Sequence, residues 1–497
     1  MNRNVVIAGQ AGFSFGGFLF GQMARFGYNL FVARVLGADA LGMYAIAFAV
    51  IQIAEVLAVA GLDSGILRFI NVYSDDPGRQ KKIIGSAVKT GLFFSCSVAL
   101  LLLLFSGKIS MVFNNSRLLQ LMICCYAAAI PFNVVTLLFG HAIQGFQKLP
   151  PKIIATQVIA PLLLLLLTIL FRYTAGHDAA LLFPFVFAAI GSFFWIYPYL
   201  SKISGVVATD IFRARTDRVL LAYALPFMGV SLLSMMTHWL DIIMLGMLTD
   251  VATVGIYHPA ARTAGLIRSV LLAFSGIAAP MIAELHAGSQ NEEIGRIYRM
   301  VTRWIVVVIM PPVLFFMLFP ELVLGLFGVR FAAGSTALML LTASSFLLVC
   351  FGLSSTVLAM TGYSRLSFLN ALAAFALQVA LNFALIPRMG INGAALATLL
   401  VFLILSALRI FQIHHLLKIS PFGKELLKPF ASAVFTAVLL VAVRPWLLSL
   451  PLFTALSVGA VLSTGIYMAL LLFLKLEQEE REIILKALPF INRKHGR

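Results

Sequence analysis

The sequence predicts an all-helical protein that crosses a membrane about fourteen times, and three observations carry that expectation. Of its 497 residues 61% are hydrophobic and 11% charged, with a mean hydropathy of +1.01; a soluble chain of this length carries roughly a quarter charged residues. The apolar residues come in unbroken runs, such as the leucines at 162–167, close to the roughly 20 residues a helix needs to cross a 30 Å hydrocarbon layer. A membrane barrel would instead alternate in segments of about ten. Third, the basic residues are strongly one-sided along the chain. A soluble enzyme or a nucleic-acid binder is excluded, and the net charge of +17 is read as cytoplasmic-loop enrichment.

Apolar runs between charged or Gly/Pro-rich breaks give the elements in order. The first six are 10–32, 41–62, 83–105, 118–143, 153–171 and 179–200. The run from the N-terminus is too long for a signal-peptide core and reads as a permanent span. A basic linker, 201–218, follows with Lys202, Arg213, Arg215 and Arg218. Six more runs lie at 219–247, 256–283, 301–319, 333–360, 366–386 and 391–412, and two at 430–449 and 453–474. Alternating the connections between two sides puts 26 of the 36 Lys and Arg on one side and 7 on the other. Both termini are therefore expected in the cytoplasm.

An internal repeat organises these spans. Gly42-Met43-Tyr44 opens span 2 and Gly255-Ile256-Tyr257 opens span 8, 213 residues later. The segment Ala142–Lys148 after span 4 resembles Ala359–Arg365 after span 10, at an offset of 217. Both matches lie six spans apart, an even number, so the halves have the same topology, a parallel repeat. The expected organisation is a six-helix lobe (1–200), the linker (201–218), a second six-helix lobe (219–413), and two extra helices with a tail (414–497).

Ionisable residues inside spans cost about 2.5 to 3.5 kcal/mol each on insertion scales, so they face cavities or partners. Arg25 shares a stripe of span 1 with Ser14, Gly21 and Tyr28 at helical spacing. Ser231, Ser234, His238 and Asp241 form a similar stripe on span 7, where His238 corresponds to Arg25 under the offset. Arg262 and Arg268 lie on span 8, pointing about 120° apart. Glu55 on span 2 corresponds to Arg268 and can pair with it or bind a coupling proton or cation, while Asp241 can pair with Arg262. His141 and Glu284 sit near span ends and read as interfacial. Three arginines against two carboxylates leave a cationic interior, suited to a bidentate anion such as a pyrophosphate.

Other chemistry is thin. Gly107-Lys108 lacks the pattern of a phosphate-binding loop, and HExxH and GxSxG are absent. No ATPase engine, metal or resident cofactor is expected. Asp75-Asp76 lies among Arg79, Lys81 and Lys82 and reads as a solvated loop. Cys96, Cys124, Cys125 and Cys350 sit in apolar runs as packing residues. The tail residues Arg493, Lys494 and Arg497 are read as positive-inside enrichment.

Four segments together resemble the bacterial polysaccharide-unit flippases of the Wzx type, within the superfamily that also holds MATE exporters and lipid II flippases. They are ARVLGADALGMYAIA at 33–47, GLDSGILRFI at 61–70, LPFMGVSLLSMMTHWLDIIMLGMLTDVATVGIYHPAAR at 225–262 and MGINGAALATLL at 389–400. The resemblance implies a V-shaped pair of six-helix lobes in the bacterial inner membrane, moving an undecaprenyl-pyrophosphate-linked oligosaccharide outward by alternating access. It implies pyrophosphate contacts at Arg25 and Arg262, while Arg268 by its embedded charge, His238 by the repeat and Tyr28 by its stripe are expected to line the same cavity. A coupling H+ or Na+, the bilayer, and the polymerase and glycosyltransferases of the pathway are the further partners expected. The rival readings are a MATE-type antiporter, which would carry a carboxylate rather than Arg25 on span 1, and a lipid II flippase. A glycan polymerase or ligase would need a sizeable outer loop, and no outer connection here exceeds about fifteen residues on this parse.

Overall fold

A computed structural model describes residues 3–114, 116–423 and 426–474. Every regular element among them is helical. Lipid offers no partner to a backbone N–H or C=O, so runs this apolar satisfy their polar groups within one helix. The tail arginines and Lys494 lie outside the described residues.

The first compact unit comprises residues 1–259 and 371–394. It contains α1 (Arg3–Phe31), α2 (Gly37–Val59), α3 (Leu62–Val72), α4 (Pro77–Val112), α5 (Arg117–Gly145), α6 (Pro150–Ile153), α7 (Ala160–Thr174), α8 (His177–Leu182), α9 (Pro184–Ser204), α10 (Ala208–Arg213) and α11 (Arg218–Leu248). The first turns of α12 (Val251–Ala287) belong to it as well. The second unit, 260–370 and 395–497, holds the rest of α12, then α13 (Asn291–Leu318), α14 (Pro320–Gly325), α15 (Ser335–Phe351) and α16 (Leu353–Met360). Further along, α17 (Ser364–Met389) and α18 (Ile391–Leu417) are shared between units, and α19 (Leu427–Ser449) and α20 (Leu452–Phe473) complete the second. This division follows proximity; the lobes expected above follow the repeat, a different criterion, and they stay an expectation.

Among the described residues thirteen helical stretches are long and apolar enough to cross a membrane, and the first, Gly12–Val72, is 61 residues. It holds two of the expected spans. Tyr28 and Tyr44, sixteen residues apart, would be about 24 Å apart along one straight helix. Their ring centroids are 4.7 Å apart, so the chain doubles back between them. The reversal falls at Gly37, whose φ of +90 is open to glycine and strained for other residues.

Other ends are written in the sequence. Asp76 accepts from the Arg79 amide at 2.9 Å with Pro77 in the first turn of α4, and Ser116 caps α5 through Leu119 N at 3.4 Å. Asp217 caps α11 through Val219 N and Leu220 N. Each satisfies amides that a helix start leaves open.

In the first unit α5 is the central helix, packed on α2, α4 and α9, with Met122, Ile123, Tyr126, Ile130 and Val134 fully buried. In the second, α13 plays that part against α15, α19 and α20, around Tyr298, Ile305, Ile309, Val349 and Tyr467. The last two helices, α19 and α20, pack on each other and on α13. Their outward Val434, Val438 and Val461 are more than 60% exposed, an apolar surface that suits lipid rather than water.

Candidate functional site

Arg25 is half-buried on α1 and reaches a distorted stretch of chain. Residues Ile154–Ile159 wind as a π-helix, which releases a backbone carbonyl from the ordinary ladder. The Arg25 guanidinium donates to the Thr156 carbonyl at 3.3 Å and to Gln157 Oε1 at 3.0 Å in that stretch, and to Gln22 Oε1 at 3.3 Å. Among the described residues these acceptors are all neutral. α1 approaches so closely because Gly17 and Gly21 present no side chain: a Cβ on Gly17 would overlap Ile153, and one on Gly21 would sit 2.5 Å from the Gln157 carbonyl. Small residues four apart are a common means of close helix packing in membranes. Asn29 Nδ2 donates to the Arg25 carbonyl at 2.8 Å, one turn on.

Tyr28, on the same stripe, is 1% exposed with its ring tilted against Tyr44. In this conformation it is a packing contact. His238 is exposed on α11, its ring edge-on to Trp239 at 5.2 Å. Trp239 in turn packs against Phe48 of α2 at 5.5 Å.

Asp241 is held from three positions. Tyr257 donates its hydroxyl to Oδ2 at 3.0 Å, while Gln378 Nε2 and Asn382 Nδ2 donate to Oδ1 at 2.7 and 3.1 Å. Gln378 and Asn382 are four residues apart on α17, so one face of that helix presents both amides. Glu55 has a similar but smaller setting: Oε1 accepts from Asn133 at 2.6 Å and Oε2 from Gln52 at 2.8 Å. The hydrogen bonds of Arg25 and Glu55 therefore go to residues outside the expected set.

Arg262 and Arg268 lie on α12 in the second unit, both half-buried. Arg409 stands inside α18 and is half-buried too. The sequence did not single out these partners: the amides Gln22, Gln52, Asn133, Gln157, Gln378 and Asn382, and the Tyr257 hydroxyl. Their signal was present, since amides inside runs such as FALQVALNFAL cost free energy unless hydrogen-bonded. Counting charges alone passes over them.

The comparisons with known proteins agree with this architecture. The sequence model described as "Polysaccharide biosynthesis protein" matches residues 9–286. A "Putative O-antigen transporter" of Shigella flexneri is 30% identical over 185 residues, 35% of this chain. The match spans 43% of that relative's length. In fold the chain is similar to the lipid II flippase MurJ in an inward closed conformation, with a TM-score of 0.73 at 14% identity over 96% of this chain and 99% of that one. It is also similar to an inward-facing MATE family transporter of the MOP superfamily, with a TM-score of 0.68 at 17% identity over 80% and 94%.

Proposed function

The chain belongs to the polysaccharide biosynthesis protein family, and on that premise we propose that it is a flippase for a lipid-linked oligosaccharide. It takes an undecaprenyl-pyrophosphate-linked repeat unit from the cytoplasmic leaflet to the outer leaflet by alternating access. The observation that carries the reading is Arg25: a guanidinium in a candidate span, bonded only to neutral acceptors among the described residues. Such a charge is costly in the bilayer and keeps its full attraction for a phosphate. Guanidinium binds phosphate oxygens in pairs.

In this mechanism Arg25 binds the pyrophosphate, and Arg262, Arg268 and His238 are the further cationic or polar side chains proposed to take part in holding the substrate. The polar stripes of α1 and α11 give the sugars a wet path, and the polyprenyl tail stays in lipid. No covalent bond changes, so the protein acts as a transporter rather than an enzyme. Asp241 is the place for a coupling H+ or Na+, with Glu55 as a second carboxylate. The protein resides in the inner membrane with both termini cytoplasmic, and it hands its cargo to a polymerase after glycosyltransferases have built it.

The test is deletion of the gene in its host and mass spectrometry of the lipid-linked intermediates. One complete repeat unit should accumulate on the cytoplasmic side, cleared by the intact gene and not by the Arg25→Ala variant. A second reading, a MATE-type cation antiporter, is favoured by the neutral donors around Asp241. Unchanged lipid-linked intermediates with altered resistance to cationic drugs would select it.

A further inference from the structure

The linker between α9 and α11 is fastened to the side of α4 in a way that sorts its residues. Lys89 Nζ donates to the Phe212 and Ala214 carbonyls at 3.0 and 2.9 Å, and Ser86 Oγ accepts from the Asp217 amide at 2.8 Å. Gly85 lets the strap lie flat: a Cβ there would stand 3.1 Å from the Ala214 side chain and 3.2 Å from the Asp210 carbonyl. Val206 and Ile211 are buried beneath it.

What is left outside is one large apolar ring and a set of cations. Phe212 is 68% exposed, and Lys202, Arg213, Arg215 and Arg218 are exposed around it. The acids of the segment are turned to the backbone, Asp210 to the Val207 amide and Asp217 to the first amides of α11. Among the described residues the three arginines have no hydrogen bond or ion pair. The strap joins two candidate membrane spans, Pro184–Ser204 and Arg218–Leu248, so it lies at the level where lipid headgroups begin. An exposed aromatic ring beside several cations at that level matches the composition of an interfacial anchor.

We propose that residues 205–218 form a docking surface for anionic phospholipid of the surrounding bilayer. Phe212 enters the boundary between headgroups and acyl chains, and Arg213, Arg215 and Arg218 bind headgroup phosphates. Lys89 is the clasp: its charge is spent on two carbonyls, which fixes the strap with Phe212 facing outward.

Native mass spectrometry of the full chain, released from micelles holding equal phosphatidylglycerol and phosphatidylethanolamine, tests this. The wild type should retain phosphatidylglycerol preferentially. Each arginine changed to Gln should lower that preference about fivefold, and Phe212→Ser should lower it without altering charge. Lys148→Gln with Arg365→Gln, two exposed cations elsewhere, should leave it in place. The proposal falls if the arginine variants retain phosphatidylglycerol like the wild type, or if the control pair loses as much. It also falls if an equal amount of undecaprenyl pyrophosphate displaces all the phosphatidylglycerol, which would make the strap a substrate port.

Discussion

Gly42 and Gly255 face each other where α2 crosses the start of α12: a Cβ on either would come within 3.0 or 3.1 Å of the other's backbone nitrogen. Their second contacts exchange in the same way, since a Cβ on Gly42 would overlap the Val251 carbonyl and one on Gly255 the Ala38 carbonyl. Val251 follows Ala38 by the same 213 residues that separate the two glycines, so the repeat offset read from Gly-x-Tyr relates the two sides of one packed crossing. An interface whose contacts exchange in this way is self-complementary.

The crossing predicts matched sensitivity. Gly42→Ala and Gly255→Ala should each destabilise the protein by about 1 to 3 kcal/mol through overpacking, read as a lowered melting temperature in detergent. Gly229→Ala on α11, where a Cβ meets nothing within 4 Å, should be neutral or slightly stabilising, because Ala is the better helix former. Equal melting of all three variants would contradict the close crossing.

Arg25 gives a prediction about geometry as well as charge. Arg25→Ala should abolish glycan export while membrane insertion and the melting profile persist. Arg25→Lys keeps the charge and loses the planar fork, so export should fall by roughly tenfold to a hundredfold without vanishing. Gln157→Ala removes the 3.0 Å acceptor that aims the guanidinium and should give a smaller loss. Full export by Arg25→Ala, measured through the lipid-linked intermediates, would remove Arg25 from the mechanism.

The helical membrane fold was legible because membrane burial writes itself as length and hydropathy. What stayed hidden was local. The break between the first two spans was legible at 33–40, but the turn at Gly37 and the one at Ala60–Gly61 depend on positive φ values that sequence pattern does not announce. The widened turn at Ile154–Ile159 follows from no single residue type, yet it supplies a carbonyl to Arg25. Arg25, Glu55 and Asp241 were found by charge; the amides that hold them were not, because Asn and Gln lower hydropathy less conspicuously than a charge does.

Asp241 accepts from Tyr257, Gln378 and Asn382, which sets up a test of ion coupling. Asp241→Asn removes the charge and turns an N–H toward donors that can no longer be accepted. Raising Na+ should raise the melting temperature of the wild type, and Asp241→Asn should abolish that shift. Tyr257→Phe, which deletes the hydroxyl donor to Oδ2, should weaken the shift and keep it. A shift of the same size in Asp241→Asn would place ion coupling elsewhere.

Glu55 separates a structural carboxylate from a coupling one. Its two oxygens take one amide donor each, from Asn133 on α5 and Gln52 one turn earlier on α2. In Glu55→Gln one of these donors meets an NH2 group, leaving an unsatisfied polar group that costs about 1 to 3 kcal/mol. Asn133→Ala should cost a similar amount alone and much less in the Glu55→Gln background, because the two side chains share one hydrogen bond. Melting measurements on the two single variants and the double variant give the coupling directly. Strict additivity would mean that the Glu55–Asn133 contact contributes nothing, and retained stability with lost export in Glu55→Gln would make Glu55 the ion-coupling carboxylate.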